Sequence, residues 1–137
     1  MILNLSAIDL FCGIGGLSYG LQEAGIVVKA GIDLDGSCQY SFKENIGSDF
    51  ISEDISKIEG DDLKKTYWKE KHEIKILVGC APCQPFSSHS HKKKNKETTK
   101  KWHLLNEFKR LISETDPHIV SMENVPNLQN KEIFKDF

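Results

Sequence analysis

Leu5-Ser6-Ala7-Ile8-Asp9-Leu10 is a short apolar run, and Phe11-Cys12-Gly13-Ile14-Gly15-Gly16 follows it directly. The run has the character of a buried strand. The glycines after it allow a tight turn and a close approach of backbone to ligand. Leu17, Leu21 and Ala24 then recur at helical spacing, which predicts one apolar helix face. Gly25 is expected to close that helix in a left-handed cap.

The same rhythm continues outward from this unit. Ile26 to Ile32 reads as a second strand, stopped by Asp33-Leu34-Asp35. Cys38, Phe42 and Ile46 share the face of a second helix, ended by Gly47. Residues 49–55 give a weaker strand, and 61–71 a helix with Leu63 and Tyr67 on one side. Ile74 to Gly79 is a strong strand. Leu104, Leu105, Phe108, Leu111 and Ile112 mark an amphipathic helix that Pro117 breaks. Ile119 to Met122 is the last strand, and residues 130–137 carry the start of another helix. Alternating strands and helices imply an α/β fold of Rossmann-like type: a mostly parallel sheet with helices on both faces. Such sheets hold ligands at the carboxyl ends of their strands. Cys12 to Gly16, Asp33, Cys83 and Glu123 all fall at such ends.

Composition narrows the class. The chain has 137 residues, 39% hydrophobic and 28% charged, a globular balance with room for one core. No apolar run approaches the ~20 residues of a membrane span, and residues 1–9 lack the features of a signal peptide. A cytoplasmic protein with no membrane partner is expected. The net charge of -2 does not advertise nucleic-acid binding. The basic residues are clustered, however: Lys92, Lys93, Lys94, Lys96, Lys100 and Lys101 stand together with Glu97 as the one acid between His89 and Lys101.

Cys80-Ala81-Pro82-Cys83 admits several readings. A zinc site needs a second pair of ligands, and none follows, so no metal is expected. A thioredoxin-like redox pair fits the intervening proline but lacks that fold's surroundings. A buried structural cysteine is the bland alternative. Pro82 and Pro85 stiffen the turn around Cys83, and its place at the mouth of a ligand crevice makes it a candidate nucleophile.

The crevice itself carries a nucleoside signal. A carboxylate at Asp33, beyond a glycine turn, can accept both hydroxyls of a ribose. The G-x-G-G pattern, rather than G-x-G-x-x-G, suits an adenosine-bearing ligand without a pyrophosphate, and S-adenosylmethionine (SAM) is one. A turn that merely joins strand to helix is the alternative. Glu123-Asn124-Val125 ends the next strand and should project its carboxylate into the same crevice, unless it only caps a helix or faces water.

A thiolate and an acid beside a methyl donor suit one reaction. Cytosine C5 is a poor nucleophile. Addition of a thiolate to C6 places enolate-like density on C5, and an acid donating at N3 stabilises it. The base must leave its stack for this to happen.

Asp9-Leu10-Phe11-Cys12-Gly13-Ile14-Gly15-Gly16, Pro82-Cys83-Gln84-Pro85-Phe86-Ser87 and Glu123-Asn124-Val125 resemble, in order and spacing, the first, fourth and sixth motifs of the DNA cytosine-C5 methyltransferases. The resemblance covers nearly the whole chain. It implies that Phe11 packs on the cofactor's adenine, with Gly13, Ile14 and Gly15 along its methionine end. Asp33 would bind the ribose, Leu34 would cover the adenine, and Asp54 and Ile55 would meet its amino edge. Pro82 and Leu104 would approach the sulfonium. Cys83 and Glu123 would be catalytic. Gln84, Ser87 and Asn124 would brace the loop or the base, and Lys92, Lys93 and Lys94 would contact phosphates of double-stranded DNA. One departure stands out: the family's acidic-x-Arg-Gly approach to the helix reads Thr99-Lys100-Lys101-Trp102 here.

Family members continue further, with an arginine-bearing motif, a target-recognition region and a final helix that completes the SAM site. Residues 1–137 are therefore expected to be the N-terminal portion of the catalytic domain, incomplete on its C-terminal side. The remainder would be a C-terminal region or a second subunit, and this chain alone would be inactive. The leading expectation is a bacterial modification enzyme of a restriction-modification system. A tRNA cytosine-C5 methyltransferase shares these motifs, although Ser87 stands where that branch tends to have Thr. A non-catalytic SAM- or DNA-binding module and an NAD-dependent oxidoreductase are the alternatives from other classes.

Overall fold

The computed structural model describes residues 4–82 and 97–124, with backbone only over 97–102, together with Pro126, Leu128 and Lys135. The strands are β1 (Asn4–Leu10), β2 (Val27–Asp33), β3 (Asp49–Ser52), β4 (Glu73–Gly79) and β5 (Ile119–Met122). The helices are α1 (Gly16–Glu23), α2 (Gln39–Ile46), α3 (Gly60–Tyr67) and α4 (Glu97–Thr115). All pairings are parallel, in the order β3-β2-β1-β4-β5. The chain winds outward from β1 in one direction through β2 and β3, then returns to the other side of β1 for β4 and β5. The strand order therefore reverses between β1 and β4, where a doubly wound sheet opens its ligand crevice.

Side-chain alternation along β1 and β4 divides the core into two layers. Ile8, Leu10 and Leu77 point to one face and pack with Ile32, Leu63, Trp68, Phe108 and Leu111, which brings in α3 and α4. Ala7, Ile76 and Val78 point to the other face, against Leu21 and Ile26. Phe42 and Ile46 of α2 pack beside them on Val28 and Phe50. Both faces of the sheet are thus covered, as the strand-helix rhythm predicts. β5 lies at the edge, and Ile119 and Val120 are exposed on it. Among the described residues no helix is long and apolar enough to cross a membrane.

Three expectations need correction. Of the expected α1 face Leu17-Leu21-Ala24, Leu21 alone packs on the core, while Leu17 is 37% exposed and Ala24 is the exposed C-cap. Ser18 is the buried residue of the helix. Its hydroxyl donates to the buried Asp9 Oδ2 at 2.6 Å, which fixes a polar residue beside Leu21 on the inward face. The helix over 61–71 is shorter than expected and ends at Tyr67, where Trp68 turns into the core. Its indole N–H donates to Ser6 Oγ at 3.0 Å. The strand over 49–55 is also shorter than expected and ends at Ser52, with a 3-10 turn at Ile55–Lys57. The remaining elements lie close to where the periodicity places them, with Gly25 and Gly47 at φ 81° and 71° closing α1 and α2. The expected helix over 130–137 lies outside the described residues.

Candidate active site

The turn after β1 is built by residues that accept left-handed backbone. Gly13 and Gly15 have φ of 52° and 98°, and Phe11, which has a side chain, sits at φ 59°. A non-glycine residue in that region is strained, and such strain concentrates at functional positions. Gly15 is doubly constrained, since a Cβ there would lie 2.8 Å from Ile46 Cγ1. Phe11 is held edge-on against Phe108, with ring centroids 6.5 Å apart.

Beneath the turn, Asp9 is 1% exposed, and its Oδ1 has no hydrogen-bond partner. Burial pushes its carboxyl up to about 6, against the opposing pull of the Ser18 hydrogen bonds. The neighbouring Cys12 is also buried, and its thiol is pushed well above the ordinary range, first by burial and then by the charges of Asp9 and Asp33. Cys12 is therefore a packing residue rather than a nucleophile.

Asp33 ends β2 and stitches the strand ends together. Its Oδ2 accepts from Gly13 N–H at 2.8 Å, and its Oδ1 accepts from Asp35 N–H at 2.9 Å. Each oxygen retains a second lone pair for a ligand. Asp54 follows β3, and its Oδ1 accepts from the Ser56 amide and hydroxyl at 2.9 and 2.8 Å. Those bonds hold its carboxyl below the usual range.

A cavity of about 230 Å³ opens here, lined by Phe11, Ile32, Asp33, Leu34, Glu53, Asp54, Ile55, Cys80, Pro82 and Leu104. It gathers Phe11, Asp33, Leu34, Asp54, Ile55, Pro82 and Leu104, which the sequence nominates for one ligand from segments far apart in the chain. Gly13, Ile14 and Gly15 are not on this lining. Gly13 touches it through its bond to Asp33, and Ile14 is largely exposed. Apolar walls with carboxylates among them suit a nucleoside.

The acid lies next to this cavity. Glu123 follows β5, and its N–H donates to Gly79 O at 3.1 Å across the β4–β5 junction. The Cys80 thiol donates to Glu123 Oε2 at 2.8 Å. Asn124 Nδ2 donates to Ala81 O at 3.0 Å. The segment that leads into Cys83 is thereby tied to the segment that carries the acid. Cys83, Gln84, Ser87, Lys92, Lys93 and Lys94 lie outside the described residues.

Sequence reasoning does not find several contributors. Glu53 lines the cavity without standing out by type or pattern, and Cys80, which the sequence marks only as half of a C-x-x-C pair, lines it as well. Arg110, on α4, donates to Glu107 and Glu114 at 2.7 Å and to the carbonyls of Ile55 and Ile58 at 3.1 and 2.9 Å. It ties α4 to the cavity floor. A lone Arg in a polar helix stripe carries no signal of such a role.

Fold and site together define a doubly wound α/β protein with a nucleoside-type crevice and an acid beside it. Comparison with known proteins goes further. The profile of the C-5 cytosine-specific DNA methylases matches residues 5–137, and the chain belongs to that family. It is 48% identical over 135 residues to the type II methylase M.HgiDII of Herpetosiphon aurantiacus, covering 96% of this chain and 37% of that protein. It is 38% identical over 122 residues to the type II methyltransferase M.SsoII of Shigella sonnei, covering 88% of this chain and 29% of that one. Among solved structures, a candidate DNA modification methyltransferase encoded within an E. coli prophage superposes with a TM-score of 0.76 at 29% identity, over 96% of this chain and 36% of that chain. The chain thus spans between 29% and 37% of the length of these three proteins.

Proposed function

We propose that the protein containing this chain transfers a methyl group from SAM to C5 of cytosine in double-stranded DNA, as a bacterial modification methyltransferase. The observation that carries the reading is the tie between strand ends: Glu123 and Asn124 are hydrogen-bonded to Gly79, Cys80 and Ala81, directly before Pro82-Cys83, at the rim of the nucleoside-type cavity. Residues 1–137 are assigned to the N-terminal portion of the SAM-binding catalytic domain, in a cytoplasmic enzyme.

The residues present fit SAM. Asp33 would accept from the ribose, Phe11 and Leu34 would enclose the adenine, Asp54 and Ile55 would meet its edge, and Pro82 and Leu104 would face the donor end. When bound, SAM supplies the methyl group in electrophilic form. The chain's own residues prepare the base to receive it. Cys83 adds to C6 and drives electron density to C5, while Glu123 donates to N3 and stabilises that density. Loss of the C5 proton and expulsion of the thiolate then free the product. Lys92, Lys93 and Lys94 are assigned phosphate contacts, which makes binding salt-dependent.

Methyl transfer from tritiated SAM tests the reading. Duplex DNA is expected to be labelled, and the Cys83→Ser variant to leave it unlabelled. Labelling of tRNA with none of DNA would overturn the substrate assignment. NAD binding in calorimetry with no response to SAM would overturn the reaction class.

A further inference from the structure

We propose that Cys80 is a positioning residue for Glu123: its thiol occupies one carboxyl oxygen, so that the acid proton is presented to the base from the other. The inference deepens the reading above and rests on it.

The geometry is fixed from both sides. Cys80 is the first residue beyond β4, and its N–H donates to Leu10 O of β1 at 3.3 Å. The Glu123 backbone is pinned to Gly79 O in turn. With both main chains held by the sheet, the side chains meet at 2.8 Å between Sγ and Oε2. Cys80 also lines the cavity with Asp33 and Pro82. It therefore stands between the nucleoside-type site and the acid.

The chemical consequence concerns which oxygen holds the proton. A protonated carboxyl has one O–H donor and one oxygen that only accepts. While the thiol donates to Oε2, that oxygen serves as acceptor, and the transferable proton resides on Oε1. Oε1 is then the atom that faces N3 of the extruded base. A side chain that cannot donate leaves both oxygens equivalent and the carboxyl free to rotate.

The test uses the enzyme as encoded and has two arms. In the first, kcat and the KM for SAM are measured for Cys80→Ala and Cys80→Ser. Loss of one hydrogen bond of ordinary strength corresponds to about a three- to ten-fold fall in kcat. Cys80→Ala is expected to show that fall with little change in KM, and Cys80→Ser, which keeps a donor, to recover most of it. In the second arm, iodoacetamide labelling of Cys80 is followed by peptide mass spectrometry in a Cys83→Ser background, with and without Glu123→Gln. Glutamine keeps an acceptor oxygen but removes the negative charge beside the thiol, which lifts the repulsion on the thiolate, so labelling is expected to quicken on the order of five-fold. Unchanged kcat in Cys80→Ala, a serine variant as slow as the alanine one, or a fall in activity confined to KM overturns the proposal. So does equal labelling with and without the carboxylate. The labelling arm needs no methyl transfer. Absence of transfer in the parent enzyme would therefore sink the functional reading while the contact itself is still judged.

Discussion

Replacing Asp9 by Asn should change how stability depends on pH. Asp9 is buried, and its carboxyl is pushed up to about 6 from an ordinary 3.8, chiefly by burial. The folded state therefore binds the proton more tightly than the unfolded chain does. Between those two values the native state carries more protons, so stability falls as pH rises through the window. Below about pH 4 the burial of the neutral acid costs little. Above about pH 6 the full penalty of a buried carboxylate applies, about 3 kcal/mol at ~1.4 kcal/mol per tenfold change. The asparagine variant is neutral throughout and lacks this term. Its amide also meets the place where Asp9 Oδ1 has no hydrogen-bond partner, which adds a cost that does not depend on pH. The useful quantity is therefore the change in the difference between the two proteins. Denaturant unfolding followed by tryptophan fluorescence at pH 4.5 and 7.5 reads it. The parent is expected to lose about 2 kcal/mol relative to Asp9→Asn between those two values. Parallel pH profiles, within about 0.5 kcal/mol, would refute the assignment of a proton-retaining Asp9.

Gly15→Ala should lower stability by more than about 1 kcal/mol and weaken SAM binding, because φ 98° and the 2.8 Å approach to Ile46 both oppose a side chain. Calorimetry and thermal unfolding of the same variant check both effects. Arg110→Met removes the bonds to Ile55 O and Ile58 O, and is expected to raise the Kd for SAM about three- to ten-fold while kcat at saturation stays near the parent value. Asp33→Ala should raise that Kd at least about ten-fold, since it deletes the acceptor at the cavity and the partner of Gly13 N–H together.

Much of this layout is legible in the sequence because it follows from periodicity and punctuation. The apolar runs at Leu5, Ile26, Ile74 and Ile119 set the strands, and Gly25, Gly47 and Pro117 end the helices. Parallel pairing then brings the strand ends together. Asp33, Asp54 and Leu104 come to line one cavity although they belong to separate elements. What escapes such reading depends on particular side-chain contacts. Ser18 is buried on α1 through one hydrogen bond to a buried acid, a position that hydrophobic spacing does not mark. Arg110 resembles any surface arginine until α4 is placed against the Ile55–Gly60 segment. Cys80 gains its neighbour Glu123 only when β4 and β5 pair.

Mixing the enzyme with SAM and a duplex that carries 5-fluorocytosine at the target position tests the central claim directly, because fluorine at C5 blocks release of the base after attack. A denaturant-resistant protein–DNA adduct that maps to the peptide containing Cys83, and is absent in Cys83→Ser, is the predicted result. A duplex that binds without forming that adduct, or an adduct that persists in Cys83→Ser, would contradict the account.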